Sequence, residues 1–268
     1  MDDTLRASLR SGDTRAALAA ATAAVKAQPA EARHRIALFQ LLCVEGAWER
    51  ALGQLDVVAQ LDAQALPMVG TYREAIKCEA LRAAVFEGRA TPLAFGEPRR
   101  WLALLVEALH AQARGDNAGA ARLRDDALGA ADAAAGTVDG APFEWIADAD
   151  MRLGPVLEAI VNGKYYWMPF AALARLDIEA PEDLRDMVWM PAHFLFVNGG
   201  ETVGLIPTRY PGAERDEDGL IRLARKTLWT EDGIGSGQRM FATDTNEYPL
   251  LEMRSIVLSP QPAPPGEG

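Results

Sequence analysis

A glycine-led dipeptide returns along the N-terminal half of the chain at a fixed interval. Gly12-Asp13 is followed by Ala17-Leu18, and Gly46-Ala47 is followed by Ala51-Leu52, 34 residues later. Gly115-Asp116 with Ala120-Ala121 stands 69 residues beyond Gly46, close to two more periods. Glycine suits a tight turn between helices, and small residues one helical turn further on let paired helices approach. A period of about 34 residues is that of tetratricopeptide helix pairs. Pro29 and Pro67 fall where second helices must stop. The apolar spacing of Ile36, Phe39, Leu42 and Cys43, and of Leu102, Leu105, Val106 and Leu109, follows a period of about 3.6 residues. Six or seven helices are expected. The stretch 72–88 lacks a glycine where the period would place one, so it is either a degenerate unit or one longer helix.

Alanine thins out beyond position 140, where four of the six tryptophans stand: Trp145, Trp167, Trp189 and Trp229. A boundary is expected here, with 136–142 as the connection. "KYYWMPF" (164–170) and "RSIVLS" (254–259) read as strands, and "HFLFVNGGETVGLIP" (193–207) as two strands about an Asn-Gly-Gly turn. "DLRDM" and "DEDGLIRLARKTL" carry short helical character, and "PQPAPPGEG" is a Pro/Gly-rich tail. The expected fold is mainly α with α+β: a tetratricopeptide-like helical repeat (α-solenoid) over 1–137, a small mixed α+β domain over 142–259, and a flexible tail over 260–268.

The net charge of -11 opposes nucleic-acid binding, which is built on Lys and Arg neutralising phosphates. Cys43 and Cys78 are isolated and read as buried structural thiols. The apolar run 16–25 follows several charges and is far shorter than the roughly 20 residues of a membrane span, so a cytoplasmic protein is expected.

The loop "LWTEDGIGSGQRMFATD" (228–244) invites a phosphate-binding reading. Its glycines are spaced G-x-G-x-G and are followed by Gln238 and Arg239, so it lacks the lysine and hydroxyl of a nucleoside-triphosphate loop. The dinucleotide fingerprint fails as well, because "QRMFATD" reads as a strand where a helix should begin. His34, His110 and His193 are scattered, and no serine or cysteine stands in a nucleophile motif. No catalytic residue, metal or cofactor is expected. Of the two acidic clusters, Glu214, Asp216, Glu217 and Asp218 read as a solvated turn, and Glu231-Asp232 as either a carboxylate pair for acid-base work or a solvated turn. Alternation puts Tyr165 and Trp167 on one strand face and Tyr166 on the other. Arg209-Tyr210 and Arg239 suit either an interface hot spot or buried ion pairs, with Asp244 or a neighbouring carboxylate as the partner of Arg239.

"VNGKYYWMPF", "PEDLRDMVWMPA", "IPTRYPG", "LARKTLW", "GSGQRMFATD" and "LEMRSI" occur in one order along the second part. In this the chain resembles the ImpE, SciE and TagJ family of accessory proteins encoded with type VI secretion systems, over essentially its whole length. The resemblance implies a non-enzymatic cytoplasmic adaptor. It would bind the contractile sheath through a helical segment of the small subunit TssB, and so be linked to sheath handling by the ATPase ClpV. A groove between stacked helices would take that segment, with Leu38, Leu41, Leu42, Trp101 and Leu105 as wall or simply as core. Tyr165, Trp167, Arg209, Tyr210, Trp229 and Arg239 are the candidates of the second part. Two alternatives stay open: a site for a small anion around Tyr165, Arg209, Trp229 and Arg239, or a general helical scaffold.

Overall fold

Each glycine-led dipeptide ends one helix and begins the next. In the computed structural model, which describes residues 3–260, Gly12, Gly46 and Gly115 all adopt positive φ, at 80°, 67° and 81°. They close α1 (Asp3–Ser11), α3 (Ala32–Val44) and α6 (Arg100–Ala113). The following residue starts α2 (Thr14–Ala27), α4 (Trp48–Leu61) and α7 (Asn117–Ala130). Asp13 accepts the Ala16 amide at 2.8 Å and Asp116 the Gly119 amide at 2.8 Å, whereas Ala47 has no side chain able to cap α4. We expect Asp13→Ala to cost about 1 kcal/mol in chemical denaturation; no loss would mean that α2 is held wholly by packing.

Between these pairs α5 (Leu66–Phe86) runs unbroken for 21 residues with Pro67 in its first turn, so the unit without a glycine is one long helix. The chain then contributes β1 (Leu93–Ala94), which pairs in parallel with β6 (Lys164–Pro169). The helical region thus supplies an edge strand to the sheet.

The remaining strands are β2 (Gly136–Val138), β3 (Ala141–Phe143), β4 (Ile146–Asp148), β5 (Val156–Val161), β7 (Leu173–Ile178), β8 (Trp189–Phe196) and β9 (Glu201–Pro207). A short helix α8 (Gly219–Arg222) precedes β10 (Thr227–Trp229), β11 (Gly235–Gly237), β12 (Met240–Thr243), β13 (Glu247–Pro249) and β14 (Ser255–Leu258). Nine strands join in the order β1-β6-β5-β9-β8-β7-β14-β2-β3, with smaller sheets β10-β11 and β13-β12-β4. The expectation of a small sheet is therefore corrected: the architecture is α+β around a large mixed sheet. Short strands such as Gly136–Val138, inside the expected connection, carry too few residues to show a period. Residues 261–268 of the expected tail lie outside the described residues.

The sheet has two buried faces. Tyr165, Trp167, Trp189 and Leu205 face the helices, where Phe86 meets Trp167 and Tyr72 meets Trp189 at ring-centroid distances of 5.9 and 5.8 Å. Leu157, Met168, Met190 and Phe194 face the opposite way, in a core shared with Ile146 and Phe241 of the three-stranded sheet. Tyr166 packs on this second side, as alternation predicts.

Candidate functional site

The helix-facing side of β5 places a carboxylate in the core. In "VLEAIV" all six side chains are buried, and alternation aims Val156, Glu158 and Ile160 at the helices. An isolated charge there would be prohibitively costly, so it must be met by opposite charge. Arg82 of α5 meets it through two contacts, Nε to Oε1 at 2.7 Å and Nη2 to Oε2 at 3.1 Å. Arg239 donates to Glu158 and to Asp148, and through Nε to the Pro207 carbonyl at 2.8 Å. The Tyr165 hydroxyl also donates to Glu158, and itself accepts the Trp167 indole N–H at 2.8 Å.

This network continues outward. Glu79 accepts the Trp189 indole at 2.8 Å and pairs with Arg82 at 3.3 Å. The Tyr210 hydroxyl donates to Asp148 at 2.9 Å, and the Arg239 guanidinium lies 5.4 Å from the Tyr210 ring centre. Burial pushes the Glu158 carboxyl up, but Arg82 and Arg239 outweigh it and pull the pKa down to about 2. At Asp148 burial wins over Arg239, and the pKa rises to about 7. The two carboxylates of one cluster are displaced in opposite directions because Glu158 faces two guanidiniums, while Asp148 faces one and has Asp150 as a neighbour.

Three further arginines of the second part fasten helix ends and turns of the first. Arg209 Nη1 donates to the carbonyls of Val44 and Arg222 at 2.7 and 2.6 Å, and Nη2 to that of Cys43 at 3.2 Å. A cation at the C-terminus of α3 also complements the helix dipole. Arg225 donates to the Leu9 carbonyl at 2.6 Å, near the end of α1, and Arg222 to the Thr14 hydroxyl. α8 sits so close that a Cβ on Gly219 would stand 1.8 Å from the Gly12 carbonyl oxygen. Only glycine allows that approach.

The glycine loop is the hairpin β10-β11. Its amides are engaged internally: Gly233 N–H by the Thr230 carbonyl at 3.0 Å, Ile234 N–H by the Thr230 hydroxyl at 3.1 Å, and Gly235 N–H by the Asp150 carboxylate at 2.9 Å. Amides already bonded in this way are not free to cradle a phosphate.

The candidate residues of the second part are thus brought together, but inside the protein. Tyr165, Trp167, Arg209, Tyr210 and Arg239 are buried, and only Trp229, stacked edge-on to Tyr210 at 5.5 Å, is exposed, at 42%. Arg239 takes Asp148 and Glu158 rather than Asp244, whose carboxylate accepts the Glu144 amide at 2.8 Å. The expected arginine-and-aromatic pocket is therefore corrected: Arg239 is met by protein carboxylates and Arg209 by main-chain carbonyls. Leu38, Leu41, Leu42, Trp101 and Leu105 are likewise buried core, because the apolar stripe of each helix faces its neighbours and the sheet. Glu158, Arg82 and Asp148 went unrecognised; the one signal was an acidic residue inside an apolar strand run.

An open groove does exist on the helical part. It lies between α2 and α3, has a volume of about 450 Å³, and is walled by Leu5, Ala20, Ala24, Ile36 and Ala37, with Arg33 and Asp183 also at its lining. Alanines on both helices make the groove, since longer side chains would close it. Among the described residues no helix is long and apolar enough to cross a membrane, and no group of three or more metal-ligating side chains is assembled.

The same arrangement of helices and mixed sheet is the fold of the solved X-ray structure of a Vibrio parahaemolyticus protein. That structure superposes with a TM-score of 0.86 over 95% of this chain and 97% of that one, at 24% identity. The ImpE protein family matches residues 140–257, which hold most strands of the sheet together with Asp148, Glu158 and Arg239 of the charged network. Over 255 residues the chain is 51% identical to the type VI secretion system accessory component TagJ of Pseudomonas aeruginosa, covering 95% of this chain and 91% of that protein. The chain belongs to this ImpE, SciE and TagJ family of type VI secretion accessory proteins.

Proposed function

We propose that the protein is a non-catalytic, cytoplasmic adaptor of a type VI secretion apparatus, which holds a helical segment of the sheath small subunit TssB and thereby connects the sheath to the ATPase ClpV. The observation that carries this reading is 51% identity, across nearly the whole chain, to a protein named as an accessory component of that system. The groove between α2 and α3 supports the helical-segment part, since a wall of alanines and Ile36 suits the apolar stripe of an amphipathic helix. The buried acids and bases are engaged with one another, an arrangement suited to fastening the helices to the sheet.

The test is calorimetric titration of the full-length protein with a peptide spanning the N-terminal helical segment of the cognate TssB. Saturable binding is expected. It should weaken at least about tenfold, or about 1.4 kcal/mol, in Ala24→Arg and Ala37→Arg, which fill the groove from half-buried positions. Thermal stability should be retained, and Trp229→Ala should leave binding unchanged. Binding that ignores both groove variants would overturn the groove assignment. No binding by a folded protein would overturn the TssB reading. Deleting the helices is an unsuitable control, because Tyr165, Trp167 and Trp189 lie in the same core as α3, α4 and α5.

A further inference from the structure

We propose that Gln40, in the groove between α2 and α3, selects a partner helix that carries an amide side chain, Asn or Gln, within its apolar stripe. This rests on the groove reading above and adds the residue that sets the groove's specificity.

Gln40 interrupts the buried run Leu38–Val44 of α3 with a strong hydrogen-bonding side chain. Burying an amide without a partner is unfavourable, so buried amides are ordinarily bonded. Gln40 is 3% exposed, yet among the described residues its side chain meets no donor or acceptor. The other polar side chains at the groove are engaged: His34 Nε2 with Gln28 Oε1 at 3.0 Å, Arg33 with Glu31 at 3.5 Å, and Asp183 with Arg185. The Gln40 amide also stands within reach of a ligand. Unbonded polar atoms such as Trp101 Nε1 and Arg185 Nε are sealed from solvent; the Gln40 amide is unbonded without being sealed, and the opening it meets is the groove.

Spacing along α3 fixes where the partner's amide must stand. Arg33, Ile36, Ala37 and Gln40 recur at i, i+3, i+4 and i+7, and this one face of α3 is a wall of the groove. At a rise of about 1.5 Å per residue, Gln40 lies roughly one helical turn from Ile36 and Ala37. A helix laid along α3 has the same rise. Its amide against Gln40 therefore falls three or four positions from the aliphatic residue that meets Ile36 and Ala37.

A carboxamide presents both a donor and an acceptor, and a second carboxamide answers both at once, whereas a carboxylate or an ammonium answers one. An aliphatic residue in that place would seal the Gln40 amide with nothing to bond, which costs affinity. The walls of alanine and Ile36 by themselves let an apolar helix slide by a turn. A single polar pair among apolar contacts fixes its register and rejects helices that lack the amide.

A display library of helical peptides randomised on one face, selected on the full-length protein and counter-selected on Ala37→Arg, tests this without assuming which protein is the partner. Selected peptides should carry Asn or Gln three or four positions from an aliphatic residue. In fluorescence polarisation their affinity should fall at least about tenfold for Gln40→Met. Methionine is close to glutamine in shape and removes an amide that nothing in the protein bonds, so the unfolding temperature should be held or raised. Selection repeated on Gln40→Met should return an aliphatic residue in place of the amide. A groove that acts by hydrophobicity alone gives the opposite sign, tighter binding by Gln40→Met. That result, an unenriched library, or selected sequences without the amide would each overturn the proposal. The TssB titration fails separately: peptides that depend on Gln40, beside a TssB segment that does not bind, would remove TssB and leave the role of Gln40 standing.

Discussion

Replacing Glu158 with glutamine is expected to lower the free energy of unfolding by about 3 to 5 kcal/mol, the cost of breaking a buried pair and leaving its partners charged. Glu158 is fully buried and is the one carboxylate shared by Arg82 and Arg239, so its neutralisation strands part of two guanidiniums in the core. Glutamine also offers donors where Arg82 and Arg239 need acceptors. Urea denaturation followed by tryptophan fluorescence reads the change; a loss below about 1 kcal/mol would show that the cluster is solvated or already neutral.

The same residue predicts a pH window. The Glu158 pKa is depressed from 4.5 to about 2 on folding, so the stabilisation is fully present above pH 4.5 and is lost as pH falls through about 2. Asp148, raised from 3.8 to about 7, acts in the opposite sense: the stability tied to its proton is present below pH 3.8 and lost as pH rises toward 7. The raw acid limb mixes the two. The difference between wild type and Glu158→Gln carries the first, with a smaller part from Asp148, which the Glu158 charge helps to raise, and it should shrink from pH 4.5 to pH 2. A difference independent of pH would assign the effect to packing instead of charge.

Arg209→Ala should cost about 3 kcal/mol, because it leaves buried carbonyls without donors and removes a cation from a helix C-terminus. The carbonyls belong to Cys43 and Val44, at the end of α3, and to Arg222 in α8, so the loss falls on the junction between the helical and sheet regions. Hydrogen exchange should therefore accelerate at the end of α3 and around α8 more than at β5 or β8. Arg209→Lys should recover only part of the loss, since one ammonium cannot span three carbonyls along the fork of a guanidinium. Uniform acceleration throughout, or none, would remove the capping role.

The turns were legible because they are local. Gly12 and Gly115 need left-handed backbone and the aspartates after them cap the next helix, all within five residues. The hairpin joining β8 and β9 was equally plain in its Asn-Gly-Gly. A second hairpin, at Asn162-Gly163 inside "VNGKYYWMPF", carries the same local signal, an Asn-Gly pair between two strands. The charged network was opaque for a different reason. Arg82 and Glu158 are 76 residues apart and Arg239 and Glu158 are 81 apart, so no local spacing links them.

By itself the amino-acid sequence determined the helix pairs, the main hairpin and the family, since each rests on residues close in the chain or on motifs in a fixed order. Only the tertiary structure decided what the arginines and aromatics of the second part do. Periodicity reports which side of a helix or strand is apolar, not what stands opposite it. An arginine is an interface anchor when water faces it and an internal tie when a carboxylate or a helix-end carbonyl does. For Arg209 and Arg239 the opposing groups, the Val44 carbonyl, Asp148 and Glu158, arrive from other elements of the fold.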